Sequence, residues 1–194
     1  LAHAKDAWVH VDGAFGLWAA AAPERASLIS GVKQADSWAT DAHKWLNVPC
    51  DSGMIIVRNA EHHQKLKNTR CAYAGIQSKE HRDGTDWVPE NSRRARAFVL
   101  YATLRALGRE GVDKLISNSC LMAKHFEKGL KEIPRVKVLN DVVLNQVVFL
   151  VDAPIAKDRN LLHINVANRL QKTGMCWVGT TVWQDTTALR ISIS

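Results

Sequence analysis

One lysine in the first quarter of the chain has neighbours that favour covalent chemistry. Lys44 lies in the segment Thr40-Asp41-Ala42-His43-Lys44-Trp45, next to Leu46 and other apolar residues. Apolar surroundings disfavour the ammonium form, so we expect Lys44 to be partly desolvated and its neutral amine to attack an aldehyde. A lone lysine in a loop is ordinarily solvated, so this motif carries weight only beside a second one.

The second motif places a carboxylate after a short apolar run, in His10-Val11-Asp12-Gly13-Ala14. Alternation along a strand puts Trp8, His10 and Asp12 on one face. We expect Asp12 to be buried and to need a cationic or hydrogen-bonding partner. Gly13 and Ala14 are small, which favours close approach of a flat molecule. For an isolated aspartate, a helix cap or an ordinary salt bridge is the alternative.

The elements that must position these residues are predicted strands at 7–11, 36–40 and 53–58, with a helix from Pro23 to about residue 30. The long connection between the first two strands predicts a parallel pair, and the short loop before the third predicts an antiparallel one. Parallel strands end at the same sheet edge, so Asp12 and the loop 41–47 should emerge together. Open α/β sheets bind ligands at this edge.

The rest of the chain predicts a second, smaller lobe. A helix over 92–107 is apolar on nearly all sides at 97–104 and should be buried, and the next helix has a stripe from Val112 to Leu130. Strands near 136–139, 147–151, 175–183 and 188–193, with a helix over 160–172, form an α+β lobe. We therefore predict domains 1–107 and 108–194.

Charge and cysteine content narrow the function classes. The net charge is +7, and its excess lies in 91–137, interleaved with helical apolar residues; this favours solvated helix faces over nucleic-acid binding. Arg93, Arg94 and Arg96 crowd a helix start, where the helix dipole disfavours cations, so we expect an acidic partner. The four cysteines are widely spaced, which favours a reducing cytoplasm over a disulfide or zinc framework.

No apolar run reaches the length of a membrane span. His62 and His63 are adjacent on a predicted helix, so their side chains diverge and we expect no metal site. The first residue is Leu1, and we therefore treat the sequence as a possible part of a longer protein.

Together the motifs resemble the group II pyridoxal-phosphate-dependent decarboxylases, the family of aromatic amino acid, histidine and glutamate decarboxylases. The resemblance covers essentially the whole chain and is carried by His-Val-Asp-Gly-Ala at 10–14, Asp-Ala-His-Lys-Trp at 41–45, Asp-Trp-Val-Pro followed by two arginines, and Leu-Arg-Ile-Ser at 189–192. The family commonly has Asn-Pro or Asp-Pro where this chain has Asp41-Ala42. The resemblance implies fold type I, an α/β fold of the aspartate aminotransferase kind, here the C-terminal part of the large domain plus a small α+β domain.

The resemblance also implies residue roles. Lys44 would hold pyridoxal 5'-phosphate as an internal aldimine, and Asp12 would pair with the pyridinium nitrogen. Ala14 would pack against the ring, and His43 and Asp41 would belong to the cofactor surroundings. Tyr73 matches the family's loop tyrosine, which protonates the substrate Cα after decarboxylation; an exposed loop aromatic is the alternative. Arg190 resembles a small-domain arginine near the active site, with no assigned role.

The implied activity is decarboxylation of an L-amino acid to the amine and carbon dioxide, by a cytoplasmic homodimer. Another reaction on the same cofactor, transamination or a lyase reaction, stays open, as does a non-catalytic homologue. The phosphate-binding loop and the ring-stacking histidine of the family lie upstream of these residues, so we expect this piece by itself to be inactive.

Overall fold

A computed structural model of the chain describes residues 1–65, 83–90, 92–153 and 158–194. The chain divides into two compact units, Leu1–Gly108 (unit 1) and Arg109–Ser194 (unit 2). Tyr73 lies outside the described residues. Within the described ranges, no helix combines the length and the apolar character needed to cross a bilayer.

Unit 1 contains a three-stranded sheet in the order β1-β2-β3, where β1 is His10–Asp12, β2 is Ser37–Asp41 and β3 is Gly53–Val57. Strand β1 is parallel to β2, and β2 is antiparallel to β3, so both predicted pairings are confirmed. Asp12 is opposite Ala39, and Asp41 is opposite Gly53. This register decides which side chains share a face.

The connection from β1 to β2 consists of short 3₁₀ turns rather than the predicted α-helix. They span Gly16–Ala21, Pro23–Ile29 and Val32–Gln34. Pro23 stands in the first turn of its helix, where its missing N–H costs nothing. Two short α-helices follow, α1 at Ala42–Trp45 and α2 at Ala60–Gln64.

The long helix α3, Arg96–Glu132, is interrupted at Gly108, whose backbone is non-helical (φ 62°, ψ −176°). Such a conformation is essentially restricted to glycine. Leu100 is buried, but Phe98 and Tyr101 are exposed. The prediction of a helix buried on all sides is therefore wrong for the described chain, which covers one side of this stretch and leaves others open.

Unit 2 is an antiparallel sheet in the order β4-β5-β7-β6, accompanied by helix α4 at Arg159–Lys172. The strands are β4 (Val136–Val138), β5 (Gln146–Val151), β6 (Gly179–Trp183) and β7 (Thr186–Ser192). Alternating apolar residues of the sheet pack with residues of α3 and α4, and the buried members of this core are Ala123, Val142, Val147, Phe149, Ala167, Val178, Leu189 and Ile191.

Candidate active site

The predicted site residues of unit 1 converge at the end of the parallel strand pair. Neighbours in register point to the same side of a sheet, and alternate residues of a strand share a face. Asp12 is in register with Ala39, and Asp41 lies two residues further along β2. Asp12, Ala39 and Asp41 therefore lie on one face, with a methyl side chain between two carboxylates.

Lys44 is joined to that face by Asp41. Helix α1 begins directly after β2, and its single turn brings the Lys44 Nζ to 2.7 Å from Asp41 Oδ2. Ala42 and Trp45 of the same turn are buried, so the turn is anchored by its apolar side while Lys44 points outwards. The amine and the Asp12 carboxylate thus share one face of the sheet at one edge.

The Lys44 side chain is 45% exposed, so the expected partial desolvation is wrong in the described chain. The apolar neighbours that motivated it point the other way: Trp45 and Leu46 are buried, as residues on the inner side of a one-turn helix must be. In place of desolvation, the amine has a carboxylate partner in Asp41. The sequence around Lys44 did not show whether its amine would be desolvated or paired with a carboxylate.

His43 is held by the backbone of the loop that precedes β3. Its Nδ1 lies 3.2 Å from the Ser52 N–H, which donates to it, and 3.3 Å from the Ser52 carbonyl oxygen. If Nδ1 accepts from Ser52, the ring proton is on Nε2, which lies 3.9 Å from Asp41 Oδ2. Asp41 is thus the common neighbour of His43 and Lys44.

Asp12 is exposed rather than buried, and its Oδ1 accepts a hydrogen bond of 3.1 Å from the Ala14 N–H. The bend after β1 is therefore stabilised locally, and the expected buried carboxylate is wrong for this chain. Ala14 is also fixed to β2, because its carbonyl accepts from the Asp41 N–H at 2.7 Å. The five predicted residues 12, 14, 41, 43 and 44 form one connected group.

Gly13 has a packing reason for its size. A Cβ at this position would lie 2.6 Å from Leu17 Cβ and 3.1 Å from the Ala39 carbonyl oxygen. The Gly13 N–H donates to that same carbonyl at 2.8 Å. Contact with the chain itself, and not only with a ligand, therefore excludes a side chain here.

The expected acidic partners of the arginines at the start of α3 are present. Arg93 pairs with Glu90 at 3.6 Å, while Arg94 and Arg96 both pair with Asp51, at 3.3 Å and 3.2 Å. Sequence reasoning missed Asp51 and Ser52 as neighbours of the site. The one signal was the unbalanced arginine cluster, which indicated an acid but not where in the chain it stood.

The remaining candidates lie elsewhere. Arg190 is exposed on β7 in unit 2. His62 and His63 lie on α2, and no group of three or more potential metal ligands occurs in the part of the chain that the structure describes. Cys50 and Cys176 are exposed free thiols.

Comparison with known proteins defines the class to which this fold belongs. The structure superposes on the crystal structure of Oryza sativa TDC with PLP (pyridoxal phosphate) and tryptamine with a TM-score of 0.88 and 28% identity, over 99% of this chain and 41% of that one. The fold is thus that of the fold-type I enzymes dependent on pyridoxal phosphate. The family model "Pyridoxal-dependent decarboxylase conserved domain" matches residues 1–152, and the chain belongs to this family.

Curated relatives agree with the family assignment and are much longer. Tryptophan decarboxylase 2 of Oryza sativa subsp. japonica is 25% identical over 198 residues, which cover 100% of this chain and 40% of the relative. Tyrosine decarboxylase of Papaver somniferum is 33% identical over 123 residues, or 62% of this chain and 24% of the relative. The matched segments thus cover between about a quarter and two fifths of these proteins.

The donor groups of this face fit pyridoxal phosphate. The cofactor needs an amine for its aldehyde and an acid for its ring nitrogen, and both are present on one face as Lys44 and Asp12. The residue between the two carboxylates on that face is Ala39, whose methyl group leaves apolar surface rather than a competing polar group.

Proposed function

We propose that the protein containing this chain decarboxylates an L-amino acid to the amine and carbon dioxide, with pyridoxal phosphate attached through Lys44. The observation that carries the proposal is the common face of Asp12, Asp41 and Lys44, with Nζ 2.7 Å from Asp41. When bound, pyridoxal phosphate supplies an electron-poor ring that accepts the electron pair left as carbon dioxide departs.

The chain's own residues bind and orient. Lys44 provides the amine that holds the cofactor, and the Asp12 carboxylate keeps a proton at the ring nitrogen, since a nearby negative charge favours the protonated form. Ala14 packs beside the ring. Asp41 orients Lys44 and His43, because its Oδ2 lies near both side chains.

Tyr73 is proposed as the acid that delivers a proton to the substrate Cα. A phenol is suited to this step where water is excluded. In the full-length protein, Tyr73→Phe should retain cofactor binding but slow or divert amine formation, measured as the ratio of amine produced to carbon dioxide released. An amine yield equal to that of the wild type would remove Tyr73 from the mechanism.

The whole protein is proposed to be a cytoplasmic homodimer, as the resemblance implies, and the substrate is a free amino acid. The wide spacing of the cysteines and the free thiols of Cys50 and Cys176 support a reducing compartment. Transamination or a lyase reaction on the same cofactor is the nearest alternative, since Lys44 and Asp12 serve those reactions equally. A non-catalytic homologue is a further alternative, and the 194-residue chain by itself is expected to be inactive.

The test uses the full-length protein and the variant Lys44→Arg, which keeps a cation beside Asp41 but lacks the primary amine. The wild type should show an absorbance band of bound cofactor and release carbon dioxide from an amino acid. In the variant the band should vanish and turnover should fall on the order of a thousandfold or more. Lys33→Arg is the control. Formation of a keto acid without carbon dioxide would favour transamination, and a band that survives in Lys44→Arg would overturn the assignment of Lys44.

A further inference from the structure

The loop between α1 and β3 contains a strained residue held by two arginines. Asp51 has φ of 66°, in the left-handed region that is disfavoured for residues with a Cβ. Its Oδ1 lies 3.3 Å from Arg94 Nη2 and its Oδ2 lies 3.2 Å from Arg96 Nε, so each oxygen takes a separate guanidinium. Asn47 of the same loop also has a positive φ, of 54°, but Asp51 is the one that directly precedes Ser52, so the ion pairs act on the residue next to Ser52.

The backbone of Ser52 orients α1, the short helix that contains Lys44. The Ser52 N–H donates to His43 Nδ1 at 3.2 Å, and its carbonyl accepts from the Ala42 N–H, the first of α1, at 2.8 Å. The direction of the Ser52 N–H is set by ψ of Asp51, because the two residues share that peptide plane. A rotation at Asp51 would therefore misdirect the bond to His43.

The contacts continue from His43 to the amine. His43 Nε2 lies 3.9 Å from Asp41 Oδ2, and the same oxygen holds Lys44 Nζ at 2.7 Å. Every step from the arginines to Lys44 is a direct contact or a shared peptide bond within unit 1. Arg96 is the first residue of α3 and Arg94 lies two residues before it, so both are far along the chain from the lysine that they help to orient.

We propose that Asp51, clamped by Arg94 and Arg96, is a positioning residue that holds His43 and Lys44 in the orientation required to bind the cofactor. The proposal rests on the proposed function in so far as Lys44 is the cofactor's amine. The three side chains are partly exposed, at 46%, 69% and 38% respectively. Exposed ion pairs contribute little to global stability, so the clamp should act on the loop conformation rather than on unfolding.

The test compares three variants of the full-length protein. Asp51→Asn removes the charge but keeps a side chain that tolerates left-handed backbone, and Arg94→Gln/Arg96→Gln removes the same ion pairs from the other side. Arg93→Gln is the matched control, since the adjacent arginine pairs with Glu90 instead. The readouts are the dissociation constant of pyridoxal phosphate, the ¹⁵N chemical shifts of the His43 ring, and the melting temperature.

We expect Asp51→Asn and the double arginine variant to weaken cofactor binding by roughly threefold to tenfold, as loss of one or two exposed ion pairs allows. The His43 Nδ1 signal should lose the shift of a hydrogen-bond acceptor, and Arg93→Gln should change neither readout. Cofactor affinity and His43 shifts that match the wild type in folded Asp51→Asn would overturn the clamp.

Borohydride trapping separates this outcome from a failure of the proposed function. Pyridoxal phosphate is reduced onto the protein and the labelled peptide is identified by mass spectrometry. If Lys44 of the wild type takes no label, the proposed function fails. The His43 signals in Asp51→Asn then decide by themselves whether Asp51, held by Arg94 and Arg96, orients His43.

Discussion

Asp12 has two roles, a hydrogen bond within the bend after β1 and the proposed stabilisation of a proton on the cofactor's ring nitrogen. One substitution separates these roles. Its Oδ1 accepts from the Ala14 N–H, a bond that an asparagine oxygen would retain, whereas the negative charge would be lost. We therefore expect Asp12→Asn to fold normally and to bind the cofactor somewhat more weakly, with turnover reduced on the order of a hundredfold. Cofactor titration and steady-state kinetics measure the two effects. If turnover of Asp12→Asn equals that of the wild type, the charge of Asp12 does not contribute to the reaction, and its role is limited to the hydrogen bond with Ala14.

The pairing of residues across the sheet explains which features of the candidate site could be predicted from the sequence. Strand alternation and parallel pairing predicted that Asp12 and the segment around Lys44 meet at one edge, and the register brings them there. The exposure of Lys44 was not predictable, because it depends on which side of a one-turn helix faces the interior. Asp51 was missed for a different reason, since its arginine partners stand far along the chain and no local pattern joins them.

At the scale of elements, Gly13 sets how closely the turn after β1 packs on β2. An added Cβ would meet Leu17 Cβ at 2.6 Å and the Ala39 carbonyl oxygen at 3.1 Å, and neither atom can move without moving backbone. Gly13→Ala should destabilise the protein by about 1–3 kcal/mol, the usual cost of overpacking, measured by denaturant unfolding. Gly84→Ala is the control, as nothing lies within 4 Å of its added Cβ. Equal stability of the two variants would show that the turn relaxes freely.

Helix α3 contains an ion-pair network that should make its stability depend on pH. Lys131 and Lys124 hydrogen-bond to Glu127 at 2.8 Å and 2.9 Å and hold the pKa of its carboxyl below the usual value, although its partial burial acts in the opposite direction. A carboxyl whose pKa is lowered by folding stabilises the protein above its unfolded pKa. That contribution is lost as pH falls through the folded value.

Glu127→Gln should therefore lower the free energy of unfolding at pH 7 by roughly 0.5–1 kcal/mol, as expected for two helical ion pairs. The difference from the wild type should shrink as pH falls below about 4, where the carboxyl becomes protonated in the unfolded chain and then in the folded one. Glu132→Gln, an exposed position on the same helix, is the control. A difference that persists unchanged at pH 3 would assign the effect to packing of the side chain instead of its charge.

Most strands of both units and helix α4 were predicted closely, but β1 and β6 begin later than predicted. Strands β2, β3, β4, β5 and β7 and helix α4 lie within two residues of their predicted positions, because their apolar patterns alternate or repeat. Strand β1 begins at His10 and β6 at Gly179, three and four residues after their predicted starts. Between β1 and β2 the predicted helix is a series of 3₁₀ turns, since runs of six or seven residues interrupted by Pro23 and Gly31 leave little room for α-helical repeats.

On the scale of the whole molecule, the two units differ in the size of the side chains that they bury. Both units expose large apolar side chains, such as Ile55 and Phe98 in unit 1 and Met175 and Trp177 in unit 2, but half of the buried apolar residues of unit 1 are alanines. The fully buried large side chains of the described ranges are Trp45 in unit 1 and Ile116, Leu189, His163, Val142, Val147 and Cys120 in unit 2. The unit that contains the candidate site thus has the weaker core.

This difference predicts separate folding behaviour. Residues 109–194 expressed alone should give dispersed amide NMR signals and a cooperative thermal transition, because their core contacts lie within that stretch. Residues 1–108 alone should bind a hydrophobic dye and melt without a sharp transition, since Trp45 is the one large side chain that is fully buried among the described residues of that unit. A cooperative transition in 1–108 would mean that the site unit is self-sufficient. Loss of the transition in 109–194 would mean instead that its core depends on contacts outside it.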